Sequence, residues 1–453
     1  MTEVLNIKQA KSLRGKLDLP PSPDLFLLSA ISTICAGRKA VITPVNDTPL
    51  IKLWVETLKG IASFEFSENS CTVTPLSAQD SSAFVALPFE ILPYRDLISF
   101  ILLGMGKTVA LRSASHKRLE NWQQRARKFG FTLDISQFDE NEALSLSNAP
   151  DTLSTSVSVE EEDISPLLGL FMGMLRSCSF QIDFQFSNPL KQLAQAFGFE
   201  VLSKSAVQKE TDPIARRMRM MQKKKRESTG QQFTVIADFS RKPLSDEPVF
   251  IALPGDEVLS SIMTTGKCLF PKGSFVVNNM PLESWATPVI AFIRKMGAKI
   301  SVQETSRTSF GSAGMLTIQK CDLVGRKVEC CPSSLFSSHL PSMVVLAAFA
   351  EGQSVFRDLE DLRNDQPDGI ELLEKCIRLL GARLGEMPDG IVMEGTRDFD
   401  GFDLAENLPP HFSGSLAIAG SKCVGTTTIN DELLKQRWPT FESILSESLE
   451  FRT

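Results

Sequence analysis

Histidine is scarce in this chain of 453 residues: only His116, His339 and His411 occur, and none sits at ligand spacing with another or with a cysteine pair. A zinc or iron centre is therefore not expected, and no metal or cofactor is assigned. The nine cysteines are odd in number and scattered, with only Cys330 and Cys331 adjacent. That pattern suits free, buried thiols in a reducing compartment rather than a disulfide framework. No stretch approaches the roughly 20 consecutive apolar residues needed to span a bilayer. Met1-Thr-Glu-Val lacks the basic start of a secretory leader, so the expected location is cytoplasmic. Positive charge is not in excess either. The net charge is −6, which argues against a general affinity for nucleic acid or anionic membrane.

What is present is ample material for packed cores, with 42% hydrophobic and 23% charged residues. The length exceeds one ordinary core, so two domains of about 200 residues are expected. A short unit recurs six times along the sequence: an apolar helix ending at or near Gly, a strand, and in most copies a second helix that stops at Gly before another strand. Leu25–Gly37, the strand Ala40–Thr43 and Leu53–Gly60 make the first copy. Pro288–Gly297 and Leu372–Gly381 are the clearest second helices. Helical apolar spacing followed by Gly is a helix and its stop. A period of roughly 70 residues is too long for a helical solenoid, so three copies in each of two similar domains is the economical reading.

Two segments break the pattern. Ser145–Glu162 is rich in Ser, Thr, Asp and Glu and is expected to be an exposed connection. Lys204–Gln232 holds the dense basic run Ala215–Arg226. It reads as a solvated insert, because no aromatic residues lie between its charges to stack on bases.

Leu362-Arg-Asn-Asp-Gln-Pro-Asp-Gly-Ile370 and the helix after it carry a specific likeness. So do Leu253-Pro-Gly-Asp-Glu-Val258, Pro341-Ser-Met-Val344 and Gln436-Arg-Trp-Pro-Thr-Phe441. In this order the segments resemble the enolpyruvyl transferases, and among them EPSP synthase. The resemblance implies an α/β fold of two similar domains, each three βαβαββ repeats around buried helices (an inside-out α/β barrel), with a cleft between them. It places residues 1–18 and 254–453 in one domain, and 19–253 in the other with the basic insert at about 204–232. It implies phosphoenolpyruvate and a phosphorylated small molecule as ligands.

Such ligands need several inward-facing Arg and Lys side chains. Enolpyruvyl transfer also needs an acid and a base. The family positions for these groups fall on other residue types here. The catalytic Lys falls on Asp365, the Glu on Gln366, the following Arg on Gly369, and the acid/base Asp on Ser342. Asp24 stands where an Arg would, Pro409-Pro-His411 replaces Asp-His-Arg, and the C-terminal Lys falls on Gln436. Arg95, Lys117, Arg118 and Lys435 are the remaining candidates for binding an anion. Asp368 is kept, and it is explained as the N-cap of the next helix.

Three readings follow from this pattern. The first is a divergent, catalytically impaired or inactive member of the family. The second is an active transferase using relocated basic residues. The third is a nucleic-acid or protein-binding module on a related repeat fold, such as that of RNA 3′-phosphate cyclase. The third lacks a nucleophilic His motif, and no nucleic-acid partner is expected. The losses at Ser342, Asp365, Gln366 and Gly369 favour the first.

Overall fold

In the computed structural model the described residues are 4–77, 83–87, 94–111, 115–138, 141–153, 157–182, 189–205, 233–240, 247–282, 286–329, 338–364, 368–396 and 398–451. Asp365, Gln366, Cys330, Cys331 and the basic run 215–226 lie outside them. The helices are α1 (Pro23–Ala36), α2 (Pro49–Leu58), α3 (Arg95–Gly104), α4 (His116–Lys128), α5 (Glu161–Gly173), α6 (Leu190–Ala196) and α7 (Glu257–Cys268). They continue with α8 (Ala286–Lys295), α9 (Leu340–Ala348), α10 (Gly369–Leu379), α11 (Pro410–Gly420), α12 (Glu432–Arg437) and α13 (Phe441–Ser448).

The strands form small sheets of one recurring design. Ala40–Thr43 runs parallel to Val249–Ala252 on one side and antiparallel to Ser70–Pro75 on the other, with Ala62–Ser67 at the far edge. The same order recurs around Thr108–Leu111, around Gly352–Arg357 and around Phe275–Pro281. Shorter versions form around Thr426–Asn430 and around Ser177–Ile182, which has parallel bridges to Leu153 and Ser158 on one side and runs antiparallel to Phe233–Asp238 on the other, with Glu200–Ser205 at the far edge. The expected repeat is thus a repeat of sheets, each covered by its own helices. Ser145–Asn148 departs from the expected exposed connection: these residues continue the strand Asn141–Asn148, paired to Thr132–Phe138. The buried Ala143 and Leu144 carry the strand into the core and the polar residues follow towards its exposed end.

Two sets of helices are buried nearly all round, which is why their sequences show apolar runs rather than a stripe. In the first set α3 and α5 touch at backbone distance, because a Cβ on Gly104 or Gly173 would lie within 2.4 Å of the carbonyl oxygens of Leu170 and Ile101. In the second set α7, α9 and α11 pack together, with Gly266 against Ile418. The seven cysteines among the described residues are free and buried. No helix among those residues is long and apolar enough to cross a membrane.

The chain passes between the two sets twice, near residues 19–22 and 253–256. The passages run beside each other: Ser22 N–H donates to the Pro254 carbonyl at 2.9 Å, and Asp256 N–H to that of Pro20 at 2.7 Å. Gly255 is required there, since a Cβ would fall 2.5 Å from Leu19 Cβ and 2.6 Å from the Asn279 carbonyl.

Candidate functional site

The double passage ends in two helix starts that face each other. Ser22 caps α1, its Oγ accepting from Leu25 N–H at 3.3 Å, and Pro23 fills the first helical position. Asp256 caps α7, accepting from the N–H groups of Val258 and Leu259 at 2.9 and 3.1 Å. Both caps follow from residue type: a short side-chain oxygen satisfies the otherwise unpaired donors of a first turn. The next acidic residues, Asp24 and Glu257, are carried inward with them and are 1% and 2% exposed.

Arg437 comes to these acids from the end of α12. Its Nη1 donates to Asp24 Oδ1 at 3.1 Å, and its Nη2 donates to Asp24 Oδ2 and to both oxygens of Asp256 at 3.3 and 3.2 Å. Trp438 follows it, donating from Nε1 to Asp256 Oδ2 at 2.8 Å while the guanidinium sits 5.0 Å from its ring centre. Glu257 accepts from Ser22 Oγ at 2.8 Å and from the Tyr94 hydroxyl at 3.0 Å. The single tyrosine of the chain is therefore buried beside three carboxyl groups.

The charges here are set by burial. Burial first, then the neighbouring Asp24 and Asp256, push the Glu257 carboxyl up to about 8, so it carries its proton at neutral pH. Burial also raises Asp24, opposed by Arg437. Burial alone would lower the Arg437 guanidinium, but Asp24 and Asp256 more than offset it and hold it charged. One guanidinium thus faces Asp24, Asp256 and, in Glu257, an acid that is neutral at pH 7.

Two of the scarce histidines lie on the same floor. His339 Nδ1 is 3.0 Å from Ser261 Oγ of α7, and burial lowers its imidazole to about 4. His411, at the start of α11, is lowered to about 3 by burial and then by Arg437 and His339. Both are neutral near pH 7.

Most of the sequence-predicted residues are engaged within the protein, and one, Lys117, is exposed. Ser342 is buried, and its hydroxyl donates to the His339 carbonyl at 2.8 Å. Arg95, next to Tyr94, is 3% exposed with its Nε 3.3 Å from Asp96 Oδ1. Lys435 pairs with Asp431 at 3.1 Å. Lys117 is exposed on α4, whereas Arg118 is buried, so Arg118 is no ordinary solvated charge. Gly369 opens α10 against Leu362, and Asp368 caps that helix as expected, at 2.8 and 3.3 Å from the N–H groups of Ile370 and Glu371. The retained Arg363 binds Glu386, the Met387 carbonyl and Asp368.

Arg437, Glu257, Tyr94, His339 and Trp438 were not singled out by the sequence as a site. The one signal available was the paired pattern of helix cap followed by acid at Ser22-Pro-Asp24 and Asp256-Glu257. Beside the cluster lies a cavity of about 210 Å³, bounded by both passages, the start of α2 and Trp438.

Repeated small mixed sheets around two sets of buried helices are the fold of an enolpyruvyl transferase. EPSP synthase from Acinetobacter baumannii superposes with a TM-score of 0.64 over 99% of this chain and 98% of its own, at 15% identity. The enolpyruvyl transferase NikO from Streptomyces tendae gives 0.63 over 98% and 97%, also at 15% identity. A sequence model of the family described as EPSP synthase (3-phosphoshikimate 1-carboxyvinyltransferase) matches residues 217–445, and the chain belongs to that family. The 3-phosphoshikimate 1-carboxyvinyltransferase of Acaryochloris marina is 26% identical over 44% of each chain. That of Desulforudis audaxviator is 25% identical over 40% of this chain and 42% of its own. These alignments span less than half of each relative's length.

Proposed function

We propose that this chain is a non-catalytic member of the EPSP synthase family, one that does not bind phosphoenolpyruvate with a phosphorylated partner and transfer the enolpyruvyl group. One observation carries the reading. The buried arginine at the passage between the two helix sets, Arg437, has both terminal nitrogens committed to Asp24 and Asp256. An anionic ligand entering here would find both terminal nitrogens of that guanidinium already taken by the protein's own acids. Ser342 adds to this, because a hydroxyl held on a backbone carbonyl does not exchange a proton near neutrality as a carboxylate does.

The reading includes the division of the chain into 1–18 plus 254–453 and 19–253. Strand partners support it: Val4–Lys8, Ala10–Leu13 and Gly15–Asp18 all pair with strands beyond residue 254. It also includes a cytoplasmic location, supported by the free buried thiols. The test is titration calorimetry with phosphoenolpyruvate and shikimate 3-phosphate, combined with an assay for released inorganic phosphate. No heat of binding and no phosphate is the expected result. Binding with phosphate release would instead establish an active transferase with relocated basic groups.

A further inference from the structure

Two bodies joined by a pair of adjacent chain passages swing relative to each other unless other contacts hold them. With the chain divided into 19–253 and the remainder, contacts at three places among the described residues connect the two bodies. Beside the joint, the turn between the strands Ala298–Thr308 and Gly311–Cys321 reaches across to Ala252, the last residue of the strand Val249–Ala252. Ser309 N–H donates to the Ala252 carbonyl at 3.0 Å, and Ser309 Oγ accepts from Ala252 N–H at 3.0 Å. The neighbouring Phe310 is buried and anchors the turn. At the second place Arg437 of one body holds Asp24 of the other, and Glu257 at the start of α7 accepts from the hydroxyl of Tyr94, just before α3, at 3.0 Å. These four side chains belong to residues at most 8% exposed.

The third place lies on other elements. Ser115 caps α4 by accepting from Arg118 N–H at 3.3 Å, and it donates its own hydroxyl to the carbonyl of Asn364, at the end of the short helical turn Glu360–Asn364. Arg118 and Asn364 are 2% and 6% exposed, so this contact is sheltered from water. A swing about the passages would separate donors from acceptors at all three places. It would also expose Phe26 and Trp438, which line one cavity from opposite bodies and are buried. Paired polar groups and buried apolar surface thus both oppose opening. We propose that these contacts hold the two bodies shut, so that the protein is one rigid unit that stays closed without a ligand.

The inference rests on the chain division and the Arg437 contact that also enter the non-catalytic reading, and the test keeps the two apart. The intact chain is measured by small-angle X-ray scattering at low salt and at about 1 M salt, alone and with phosphoenolpyruvate and shikimate 3-phosphate, beside calorimetry with the same ligands. An unchanged radius of gyration under all conditions is expected, because buried pairs are little screened by salt. Ser115→Trp combined with Asp24→Asn puts a large ring into one contact and weakens the hold of Arg437 on another. This double variant is expected to keep its circular dichroism and to expand by about 1 Å on the roughly 22 Å of a compact chain of this length. Expansion of the wild type at high salt, contraction on adding the two ligands, or a folded double variant that does not expand overturns the closed unit. Where the double variant does not fold, the wild-type measurements decide. Heat of ligand binding with unchanged scattering overturns the non-catalytic reading alone, and expansion in salt without heat of binding overturns the closed unit alone.

Discussion

Replacing Arg437 with Met keeps a long apolar stem in place and removes the one cation between Asp24 and Asp256. Both carboxylates are at most 1% exposed, so water cannot take over the lost interaction. Removing one partner of a buried ion pair costs about 3–5 kcal/mol, and that is the expected loss for Arg437→Met in urea unfolding at pH 7. Protonation limits the penalty. Burial already raises Asp24 against the opposing pull of Arg437, and without that pull it rises further, so the folded variant takes up a proton that the unfolded chain does not hold. The variant should therefore recover relative to the wild type as pH falls from 7 to 5, by about 1.4 kcal/mol per unit for one proton. Asp24→Leu combined with Arg437→Met removes the orphaned acid, and the cycle should show a coupling of about 2–3 kcal/mol. A loss below about 1 kcal/mol that is independent of pH and uncoupled to Asp24 would refute the cluster as an ion-paired core, since lost packing alone responds to none of these changes.

Three further outcomes are expected. Stability should fall as pH rises from 6.5 to 8. Glu257, raised from 4.5 to about 8, contributes stability that is complete below 4.5 and lost as pH rises to 8, and Asp24 acts in the same sense. His339 and His411, lowered from 6.5 to about 4 and about 3, contribute stability that is complete above 6.5 and lost as pH falls. Above pH 6.5 stability in thermal melts should decline by about 1.4 kcal/mol per unit from Glu257 alone, while below it the histidine and carboxyl contributions oppose each other; a monotonic rise to pH 8 would remove Glu257 as a neutral acid. Gly255→Ala should cost about 1–3 kcal/mol in chemical denaturation, because its methyl would overlap Leu19 and the Asn279 carbonyl. Asp368→Ala should cost about 1 kcal/mol by the same measurement through loss of the α10 cap, and an unchanged midpoint would count against that cap.

The fold was legible because its signals are local. Helices such as Pro23–Ala36 and Gly369–Leu379 start at Ser22 and Asp368, side chains that cap the first turn, and the segments between them alternate as strands. A unit written six times gives each copy support from the others. Ser145–Asn148 misled because polar composition describes exposure, and the solvent-facing end of a strand is exposed while still hydrogen-bonded.

The site was legible only as a set of losses. Ser342 could be read as an absent acid/base carboxylate and Gly369 and Asp24 as absent cations, but what replaced them could not. An acid in the first turn of a helix normally answers the helix dipole, and nothing near Asp24 in sequence indicates otherwise. Its partner, Arg437, is 413 positions away and joins it only when both helix starts and α12 have packed. The resemblance puts Gln436 where a ligand-binding Lys would stand, and the next residue supplies a cation turned towards the protein's own carboxylates. The two changes make physical sense together: Asp24 without Arg437 would be a buried unpaired charge, and Arg437 without Asp24 and Asp256 an equally costly one. The cluster thus does for the fold what an anionic ligand would otherwise have to do for a cationic cleft, which is to compensate buried charge.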